Sequence, residues 1–167
     1  MIYLNKEAYH GLWNYISAHF SMITEVRGDN YTGEPMAFLL EDSEIQEEIE
    51  PYIMARIVDF EEFIRQYPFD IISIHDDLHF IIDDPIMECN CGDFSLRWDA
   101  AGNTILERGG TRGETVRCDI QTLTAMFYGY KRPTYLKRVE RLQANDTAVR
   151  ILEDIIPIEQ PYFSDYF

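Results

Sequence analysis

The residue types of a metal site occur between His75 and Asp84. His75, Asp77 and His79 alternate along the chain, so on a β-strand their side chains would share one face, and Asp83 and Asp84 follow. Imidazole and carboxylate groups are common zinc ligands. However, the helical His-Glu-x-x-His pattern of zincins is absent, and a turn before an edge strand accounts for the aspartates without a metal. We therefore expect no metal site here.

Three cysteines, Cys89, Cys91 and Cys118, could in principle bind a metal or form a disulfide. The Cys-x-Cys spacing of the first two differs from the Cys-x-x-Cys spacing of zinc knuckles, and the sequence has no second pair. The same spacing suits a mutual disulfide poorly. We expect Cys89 and Cys91 to be buried thiols that serve as small apolar side chains, and all three cysteines to be free in the reducing environment of the cytoplasm.

A glycine-rich stretch over residues 108–113, Arg-Gly-Gly-Thr-Arg-Gly, could expose backbone N–H groups to a phosphate. It does not fit the Gly-x-x-x-x-Gly-Lys-Ser/Thr pattern of P-loops. It also differs from the Arg/Gln-x-x-Gly-x-Gly/Ala loop that holds acetyl-CoA in acetyltransferases, because Thr111 stands where that loop requires glycine. We predict a connection between two strands and no cofactor-binding loop in this chain.

The net charge of −16 is unevenly distributed, since residues 1–50 hold two basic residues against ten acidic ones. Such a surface repels nucleic acid and anionic membranes and attracts a cationic small molecule or a peptide amine, although it also simply keeps a protein in solution. One stretch is basic, namely Lys131, Arg132, Lys137, Arg138 and Arg141. We expect this stretch to face an acidic surface of its own chain or of a neighbouring subunit; a solvated helix face is the simpler alternative.

The first fifty residues have the pattern of half an α/β unit. Ile2-Tyr3-Leu4 is typical of a strand, and Asn5 can cap a helix from Lys6 to about Phe20 that has one apolar face. A strand over 24–31, a short helix over 34–40 and an acidic linker or exposed helix over 41–50 are predicted to follow, ended by Pro51. A strand and one helix cannot bury an apolar face alone, which indicates part of a larger domain.

From residue 52 onward the pattern predicts an α+β domain with a largely antiparallel sheet and helices packed against it. The predicted strands cover residues 53–58, 78–82, 93–98, 104–108 and 115–117. The predicted helices cover 60–66, 120–128, 133–142 and about 146–156. Asp59 and Asp119 stand in N-cap positions of the first two helices. Strands that precede helices, with links of hairpin length, are typical of α+β folds.

Five segments carry the most distinctive patterns: Leu12-Trp13-Asn14-Tyr15-Ile16, Tyr52-Ile53-Met54-Ala55-Arg56-Ile57-Val58-Asp59, Asn90-Cys91-Gly92-Asp93-Phe94, Leu123-Thr124-Ala125-Met126-Phe127-Tyr128-Gly129-Tyr130 and Pro161-Tyr162-Phe163-Ser164-Asp165-Tyr166-Phe167. In this order they resemble the C-terminal region of the Eis-like (enhanced intracellular survival) acetyltransferases. The resemblance covers essentially the whole chain and implies three consecutive parts. These are a catalytic GNAT domain, a second GNAT-like region that does not catalyse, and a sterol-carrier-like domain.

The resemblance assigns residues 1–49 to the C-terminal half of the second, non-catalytic GNAT-like region and residues 50–167 to the sterol-carrier-like domain. The catalytic domain, which would bind acetyl-CoA in the full-length protein, is then missing from this sequence and is its expected partner. The resemblance also implies a homo-oligomer and an amine substrate such as an aminoglycoside or a lysine. We expect the isolated chain to be inactive and without a cofactor of its own.

The resemblance places a catalytic group at the end of the chain. The carboxylate of Phe167 would reach the catalytic domain and act as the general base, and Tyr166 would contact the substrate. The chemistry is reasonable, because an amine must lose its proton before it attacks a thioester and a carboxylate can accept that proton. The alternative for Phe167 is an apolar end residue packed into a groove.

Two other functions stay open. Sterol carrier folds can hold an acyl chain in a tunnel, so the domain could be a lipid-binding or sterol-binding module. The chain could also be a non-catalytic adaptor. A continuous apolar tunnel would favour lipid binding, whereas a filled core would favour a scaffold.

Overall fold

The computed structural model describes residues 4–29, 36–40, 44–49, 54–70 and 76–161. The chain divides into two compact units, Met1–Tyr52 and Ile53–Phe167. Within the described part of the chain, no helix combines the length and the apolar character that crossing a bilayer requires.

The first unit contains the helices α1 (Lys6–Ser17) and α2 (Met36–Leu39). The side chain of Asn5 caps α1 as predicted, since its Oδ1 accepts a hydrogen bond from the backbone N–H of Ala8 at 2.8 Å. No residue of α1 is buried. Residues 24–29 form no strand, so the strand predicted over 24–31 is wrong in its described part. A strand gains its hydrogen bonds from a neighbour, and the sequence pattern alone does not supply one.

The second unit is built on one five-stranded sheet with the spatial order β3-β2-β1-β4-β5. Its strands are β1 (Leu78–Asp83), β2 (Gly92–Trp98), β3 (Thr104–Arg108), β4 (Glu114–Asp119) and β5 (Gln143–Ala144). The β1–β4 pair is parallel and the other three pairs are antiparallel. The predicted α+β class with a largely antiparallel sheet is therefore confirmed.

Side-chain caps determine where three helices of this unit begin. The helices are α3 (Phe60–Gln66), α4 (Ile120–Phe127), α5 (Pro133–Arg138) and α6 (Asp146–Ile155). Asp59 accepts from the backbone N–H of Glu62, as the predicted capping position requires, and Asp119 and Asn145 cap α4 and α6 in the same way. Each cap is a local sequence signal, which explains why these helix starts were predictable.

The core lies between one face of the sheet and the helices. Phe80 on β1, Phe94 on β2 and Phe60 on α3 are at most 1% exposed. The ring of Phe60 contacts the other two edge-on, at centroid distances of 5.8 and 5.0 Å. Each buried phenylalanine contributes roughly 1.5–3 kcal/mol, so this cluster is a substantial source of the stability of the unit.

Two predictions for this unit are wrong, for tertiary reasons. Residues 54–59 form no strand, because side chains hold them instead: the Ile57 backbone N–H donates to Thr124 Oγ1 at 3.2 Å. The helix predicted over 133–142 ends at Arg138, and Glu140 follows with φ = 59°. Such a left-handed residue breaks a helix, and it turns the chain toward the short strand β5, which the sequence did not predict.

Candidate functional site

The C-terminal end of the described chain is held by the guanidinium of Arg132, the N-cap residue of α5. Its Nη1 donates to the carbonyl oxygens of Ile156 and Pro157, both at 3.0 Å. Its Nη2 donates to the carbonyl oxygen of Glu153 at 2.8 Å. One side chain thus binds three carbonyl groups at the end of α6 and just beyond it. Since helix ends leave carbonyl groups without partners, Arg132 satisfies α6 and directs the chain that leaves it.

An ion pair holds Arg132 in this position. Its Nε donates to Glu153 Oε2 at 2.8 Å, and Glu153 Oε1 accepts from the backbone N–H of Thr134. Burial raises the pKa of Glu153, but hydrogen bonds from Thr134 and Arg132 outweigh this effect and hold the pKa below its ordinary value. The pair is therefore fully charged at neutral pH.

A second contact holds the C-terminal segment at Gln160, four residues after Ile156. Gly129 follows α4 with φ = 67°, and its carbonyl oxygen accepts a hydrogen bond from Gln160 Nε2 at 2.9 Å. A Cβ at position 129 would lie 3.3 Å from the carbonyl oxygen of Glu159, so the two segments run close together. We refer to Gly129, Arg132, Glu153 and Gln160 as the tail anchor.

The predicted catalytic and substrate-binding residues come after this anchor. Phe167 and Tyr166 lie outside the described residues, the last of which is Pro161. Their roles as general base and substrate contact stay predictions. The tail anchor itself was not predicted, because the sequence showed only that Arg132 belongs to a basic stretch.

A buried carboxylate, Asp84, contacts residues of two of the distinctive segments, Arg56 and Asn90. Its Oδ1 accepts from Arg56 Nη2 at 2.5 Å and from the backbone N–H groups of Ile86 and Met87, and its Oδ2 accepts from Asn90 Nδ2 at 2.8 Å. Burial raises the pKa of Asp84, but these hydrogen bonds together outweigh burial and hold the pKa well below its usual range. Asp84 is thus a structural residue that is charged at neutral pH.

Asn90 extends this network to the segment before α3. Its Oδ1 accepts from the backbone N–H of Phe60 at 2.9 Å, and its Nδ2 donates to the carbonyl oxygen of Val58 at 3.3 Å. Two of the segments that carried the resemblance, 52–59 and 90–94, therefore meet around Asp84. Because the contacts satisfy both oxygens of Asp84, this arrangement supports the fold and leaves no carboxylate oxygen for a ligand.

The candidate metal ligands are not gathered into one site. His75 lies outside the described residues, and His79 Nε2 lies 2.7 Å from Asp93 Oδ1. Within the described ranges, no group of three histidine, cysteine, aspartate or glutamate side chains could hold a metal ion. His79 is 7% exposed, whereas the side chain of Asp93 is 45% exposed, so the pair joins a buried ring to the surface of the sheet.

The sheet does bring together a serine, a histidine and an aspartate that the sequence analysis did not connect. Ser95 on β2 is the direct partner of His79 on β1, and Asp93 is two residues earlier on the same face. Ser95, however, is 1% exposed and its Oγ donates to the carbonyl oxygen of Arg112 at 2.5 Å. A substrate cannot reach this hydroxyl, so Ser95 fastens the loop after β3 and the three side chains form no catalytic triad.

The glycines of residues 108–113 serve close packing of backbone. A Cβ at Gly110 would lie 2.6 Å from the Cβ of Ser95, and a Cβ at Gly113, where φ is 109°, would overlap the carbonyl group of Asp77. The stretch connects β3 with β4, which confirms the prediction of a link between strands. Two N–H groups of this loop, those of Gly109 and Gly110, donate to the carbonyl oxygens of Asp93 and Glu107 and are therefore engaged within the protein.

The three cysteines differ in environment. Cys118 is buried, and burial raises the pKa of its thiol to about 12, with Asp119 adding to and Arg141 opposing the effect. Cys91 is half-buried, and its Sγ contacts the backbone N–H and carbonyl oxygen of Asp84. Cys89 is exposed, so the prediction of a buried role is wrong for it. It lies on a 3₁₀ turn, Glu88–Asn90, in which Asn90 takes the inward position.

A shallow cleft of about 420 Å³ lies along α3 and opens at the surface. Its apolar wall includes Phe63 and Tyr128, whose rings stack at 5.8 Å, and Tyr67. The hydroxyl of Tyr67 donates to the Phe127 carbonyl oxygen at 2.8 Å, and burial raises its pKa to about 12. Tyr67 is therefore neutral and engaged within the protein. Aromatic side chains, among them Phe60, Phe80 and Phe94, pack in the core between the sheet and α3.

Comparison with protein families divides the chain in two. A family described as "Sterol carrier protein domain" matches residues 60–164, and one described as "Acetyltransferase (GNAT) domain" matches residues 1–57. The assignment of residues 1–49 to the C-terminal half of a second, non-catalytic GNAT-like region stays a prediction. No curated protein shows significant similarity to the chain.

Several solved structures are similar over nearly the whole chain. A probable N-acyltransferase from Enterococcus faecalis is 28% identical with a TM-score of 0.78, over 99% of this chain and 42% of that one. A GCN5-related N-acetyltransferase from Anabaena variabilis is 25% identical with a TM-score of 0.71, over 96% of this chain and 40% of that one. Eis1 from Mycobacterium abscessus shares the fold at 17% identity, with a TM-score of 0.66, over 98% of this chain and 41% of that one.

The chain thus spans about two fifths of the length of these structural relatives. Its domain order, a GNAT-like segment followed by a sterol carrier domain, is established by the two family matches. Because the match to residues 60–164 covers more than half of the sequence, the chain belongs to the sterol carrier protein domain family.

Proposed function

We propose that this chain is the C-terminal part of an Eis-like, acetyl-CoA-dependent N-acetyltransferase and that it completes the active site with the carboxylate of Phe167. The observation that carries the proposal is the tail anchor, which fixes the segment leading to the terminus at Arg132 and again at Gly129. The succession of a GNAT-like segment and a sterol carrier domain, and the similarity to N-acyltransferase structures, support it.

The terminal segment can reach a neighbouring domain. Six residues follow Pro161, and an extended chain spans at most about 3.3–3.6 Å per residue, which places the carboxylate within roughly 20 Å of the anchor. If the chain were unanchored from the end of α6 onward, its terminal carboxylate would sample a far larger volume than it does with the anchor in place. By holding Ile156, Pro157 and Gln160, the anchor reduces the entropy lost when the terminus is positioned against a substrate.

The chemistry assigned to Phe167 is proton transfer. An acceptor amine, such as that of an aminoglycoside or a lysine, is protonated at neutral pH and must lose its proton before its nitrogen attacks the thioester carbon of acetyl-CoA. An α-carboxyl group has an ordinary pKa of about 3.5, so it is ionised, attracts the ammonium and can take up the proton directly or through water. Tyr166 is proposed to contact the acceptor beside it.

Acetyl-CoA is a substrate of the proposed enzyme, and the partner that would bind it is the catalytic GNAT domain. The glycine-rich loop of this chain departs from the acetyl-CoA-binding pattern at Thr111, and its Gly109 and Gly110 N–H groups donate to carbonyl oxygens of the protein. The isolated chain should therefore neither bind acetyl-CoA nor transfer acetyl groups. Calorimetric titration provides the test, and one-to-one binding with a micromolar dissociation constant would contradict this part of the proposal.

Two versions of the terminus, in the chain joined to its catalytic domain, separate charge from packing. C-terminal amidation of Phe167 keeps the ring and removes the charge, whereas a short glycine extension keeps the ring and displaces the carboxylate. Loss of a general base costs on the order of 10²–10⁴ in rate, so both versions should lower kcat by that factor while the melting temperature is unchanged. Full turnover of the amidated enzyme across neutral pH would rule out Phe167 as the base.

A lipid-binding or adaptor function is the competing proposal. The sterol carrier match favours lipid binding, but the aromatic filling of the core opposes it. Titration of the chain with a fluorescent fatty acid distinguishes the two, since saturable one-to-one binding requires a cavity. If the chain binds no fatty acid and acetyltransferase activity is full after the catalytic domain is added, the scaffold role is supported. If adding the catalytic domain restores no acetyltransferase activity, the adaptor role is supported.

A further inference from the structure

The cleft along α3 offers aromatic ring surface to an occupant. Its wall includes Phe63, Tyr67 and Tyr128, and the centre of the Phe63 ring lies 5.8 Å from that of Tyr128 and 5.4 Å from that of Tyr67. All three side chains are partly exposed. Aromatic rings pack edge-on or offset against one another, at centroid distances of about 4.5–7 Å, so this wall suits a further aromatic side chain.

The polar side chains at the rim of the cleft are already engaged. The Arg56 guanidinium pairs with Asp84, and Glu62 Oε1 accepts from Gln66 Nε2 at 2.7 Å. Asp59 Oδ1 accepts from the backbone N–H of Glu62 at 2.9 Å. Because Asp59 and Glu62 place two carboxylates beside the rings, the rim repels an anionic ligand such as a fatty acid. The cleft therefore favours an uncharged aromatic group.

The C-terminal segment arrives next to this cleft. After Arg132 of the tail anchor, the segment reaches Gly129, whose carbonyl oxygen accepts from Gln160 Nε2 at 2.9 Å. The Cα of Gln160 lies 3.6 Å from the position that a Cβ would take at Gly129. The residue before Gly129 is Tyr128, which belongs to the wall of the cleft. Gln160 thus brings the segment to the edge of the cleft.

Backbone geometry selects the side chain that continues toward the cleft. Pro161 has a fixed φ and restricts Gln160 to extended conformations, so the chain is extended at this point. Residues i and i+2 of an extended chain share a face, and Tyr162 therefore shares the face of Gln160, whose side chain contacts Gly129. Two extended residues span about 7 Å, which is enough to bring the Tyr162 ring to the cleft wall. Phe163 belongs to the opposite face.

The extent of the sterol carrier family agrees with this selection. The family matches residues 60–164, so Tyr162 belongs to the domain, whereas the last three residues follow the matched range. Tyrosine has an apolar ring and a polar hydroxyl, and it suits sites that are apolar at one end and open to water at the other. A shallow cleft with aromatic walls that opens at the surface is such a site.

We propose that the ring of Tyr162 docks in the cleft along α3, against Phe63 and Tyr128, as a further point of attachment after Arg132 and Gln160. Five residues follow Tyr162 and span roughly 17 Å when extended. The docking depends only on contacts within this chain. Its consequence for catalysis, a shorter free segment before the carboxylate of Phe167, rests on the proposed function.

Disulfide trapping locates the segment without measuring activity. Ser164 shares the extended face of Tyr162, so Ser164→Cys is combined with a cysteine in the cleft, either Glu62→Cys or Gln66→Cys, which are one helical turn apart. The exposed Cys89 is replaced by serine in every variant. Glutathione disulfide is the oxidant: the two protein thiols form one intramolecular disulfide, and the oxidant is reduced to two glutathione thiols. Mass spectrometry of the digested protein identifies the link.

Tyr130→Cys is the matched reporter outside the cleft. Position 130 follows Gly129 on the side away from Tyr128, so a segment without a docked ring reaches it as readily as it reaches the cleft. Lys131, whose ammonium is 4.4 Å from the centre of the Tyr130 ring, is the competing contact for acidic groups of the segment. The rate of linking reports the effective concentration of the two thiols, so the faster cleft pair should link on the order of tenfold faster than the Tyr130→Cys pair.

Two substitutions in the segment determine whether Tyr162 is responsible. Tyr162→Ser should slow linking in the cleft to the rate of the Tyr130→Cys pair, because the docked ring is lost. Phe163→Ser changes the opposite face and should leave the rate within about twofold. The melting temperature of each variant checks that the fold is retained. Equal rates for the cleft and Tyr130→Cys pairs, or a Phe163→Ser effect as large as that of Tyr162→Ser, would overturn the proposal, whereas neither result bears on whether Phe167 is the general base.

Discussion

The guanidinium of Arg132 and the carboxylate of Glu153 lie 2.7 Å apart (Nη2 to Oε2), and the same guanidinium binds the carbonyl oxygen of Glu153 and those of Ile156 and Pro157. This relationship couples the start of α5 to the end of α6. It also determines the direction in which the chain leaves the domain. The stability of the C-terminal segment should therefore depend on a planar, multiply donating side chain at position 132.

The substitution Arg132→Lys tests this dependence. Lysine keeps the charge but cannot donate to the Glu153 carboxylate and to three carbonyl groups at once, so the free energy of unfolding should fall by about 2–4 kcal/mol. Urea denaturation measures the change. Arg150→Lys, on the exposed side of α6, is the control and should stay within about 0.5 kcal/mol of the wild type. Equal effects at both positions would contradict a special role for Arg132.

The substitution Asp84→Asn should be destabilising at neutral pH. It removes the charge opposite Arg56 and places an amide where the carboxylate accepts from Ile86 and Met87, which we expect to cost about 2–4 kcal/mol. The neighbouring Asp83→Asn is the matched control, because Asp83 is exposed. Denaturant unfolding at pH 7 compares the two, and a neutral Asp84→Asn variant would contradict the network.

The same carboxylate predicts the acid sensitivity of the fold. The pKa of Asp84 lies well below its usual range in the folded state, whereas the unfolded chain has the ordinary value of about 3.9. Its stabilising contribution is therefore complete above that value and is lost as the pH falls toward the folded-state pKa. Unfolding followed by circular dichroism should show a loss of stability from about pH 4 downward that is smaller in Asp84→Asn.

Gly113 should tolerate no side chain. Its φ of 109° is unfavourable for L-residues, and a Cβ would overlap the Asp77 carbonyl group, so Gly113→Ala should cost roughly 2–4 kcal/mol. Gly109, with φ = 76° and open space around its Cβ position, is the control, and Gly109→Ala should cost only about 1–2 kcal/mol. Thermal unfolding measures both, and equal costs would show that backbone conformation alone matters.

The three thiols should react in an order determined by exposure. In the native protein, Cys89 should react rapidly with an aromatic disulfide reagent and Cys118 should not, because Cys118 is buried and its raised pKa keeps it protonated. Denatured protein should titrate three thiols without reductant. Cys89→Ser should remove the fast phase, and fast labelling that persists in this variant would place the reactive thiol elsewhere.

The sequence by itself determined the features that depend on neighbouring residues. Asn5, Asp59 and Asp119 cap helices where their positions predict, since a cap needs only a side-chain oxygen and an N–H two or three residues later. The strand β4 alternates the buried Val116 and Cys118 with the exposed Thr115 and Arg117, a pattern that reports burial of one face. The positive φ of Gly113 is likewise a local property, because glycine allows it. The close approach of the Asp77 carbonyl group, by contrast, arises from the tertiary structure.

The tertiary structure alone decided the features that depend on distant partners. Residues 54–59 have the composition of a strand, yet contacts with Thr124, Asp84 and Asn90 hold them without a neighbouring strand. The strand β5 is two residues long, and only its pairing with β4 makes it a strand. The tail anchor joins Arg132 to Glu153 across 21 positions, and the Ser95–His79 pair depends on strand register. Such contacts arise from packing and register, which composition and periodicity do not encode. They determine where the C-terminal segment leaves the domain.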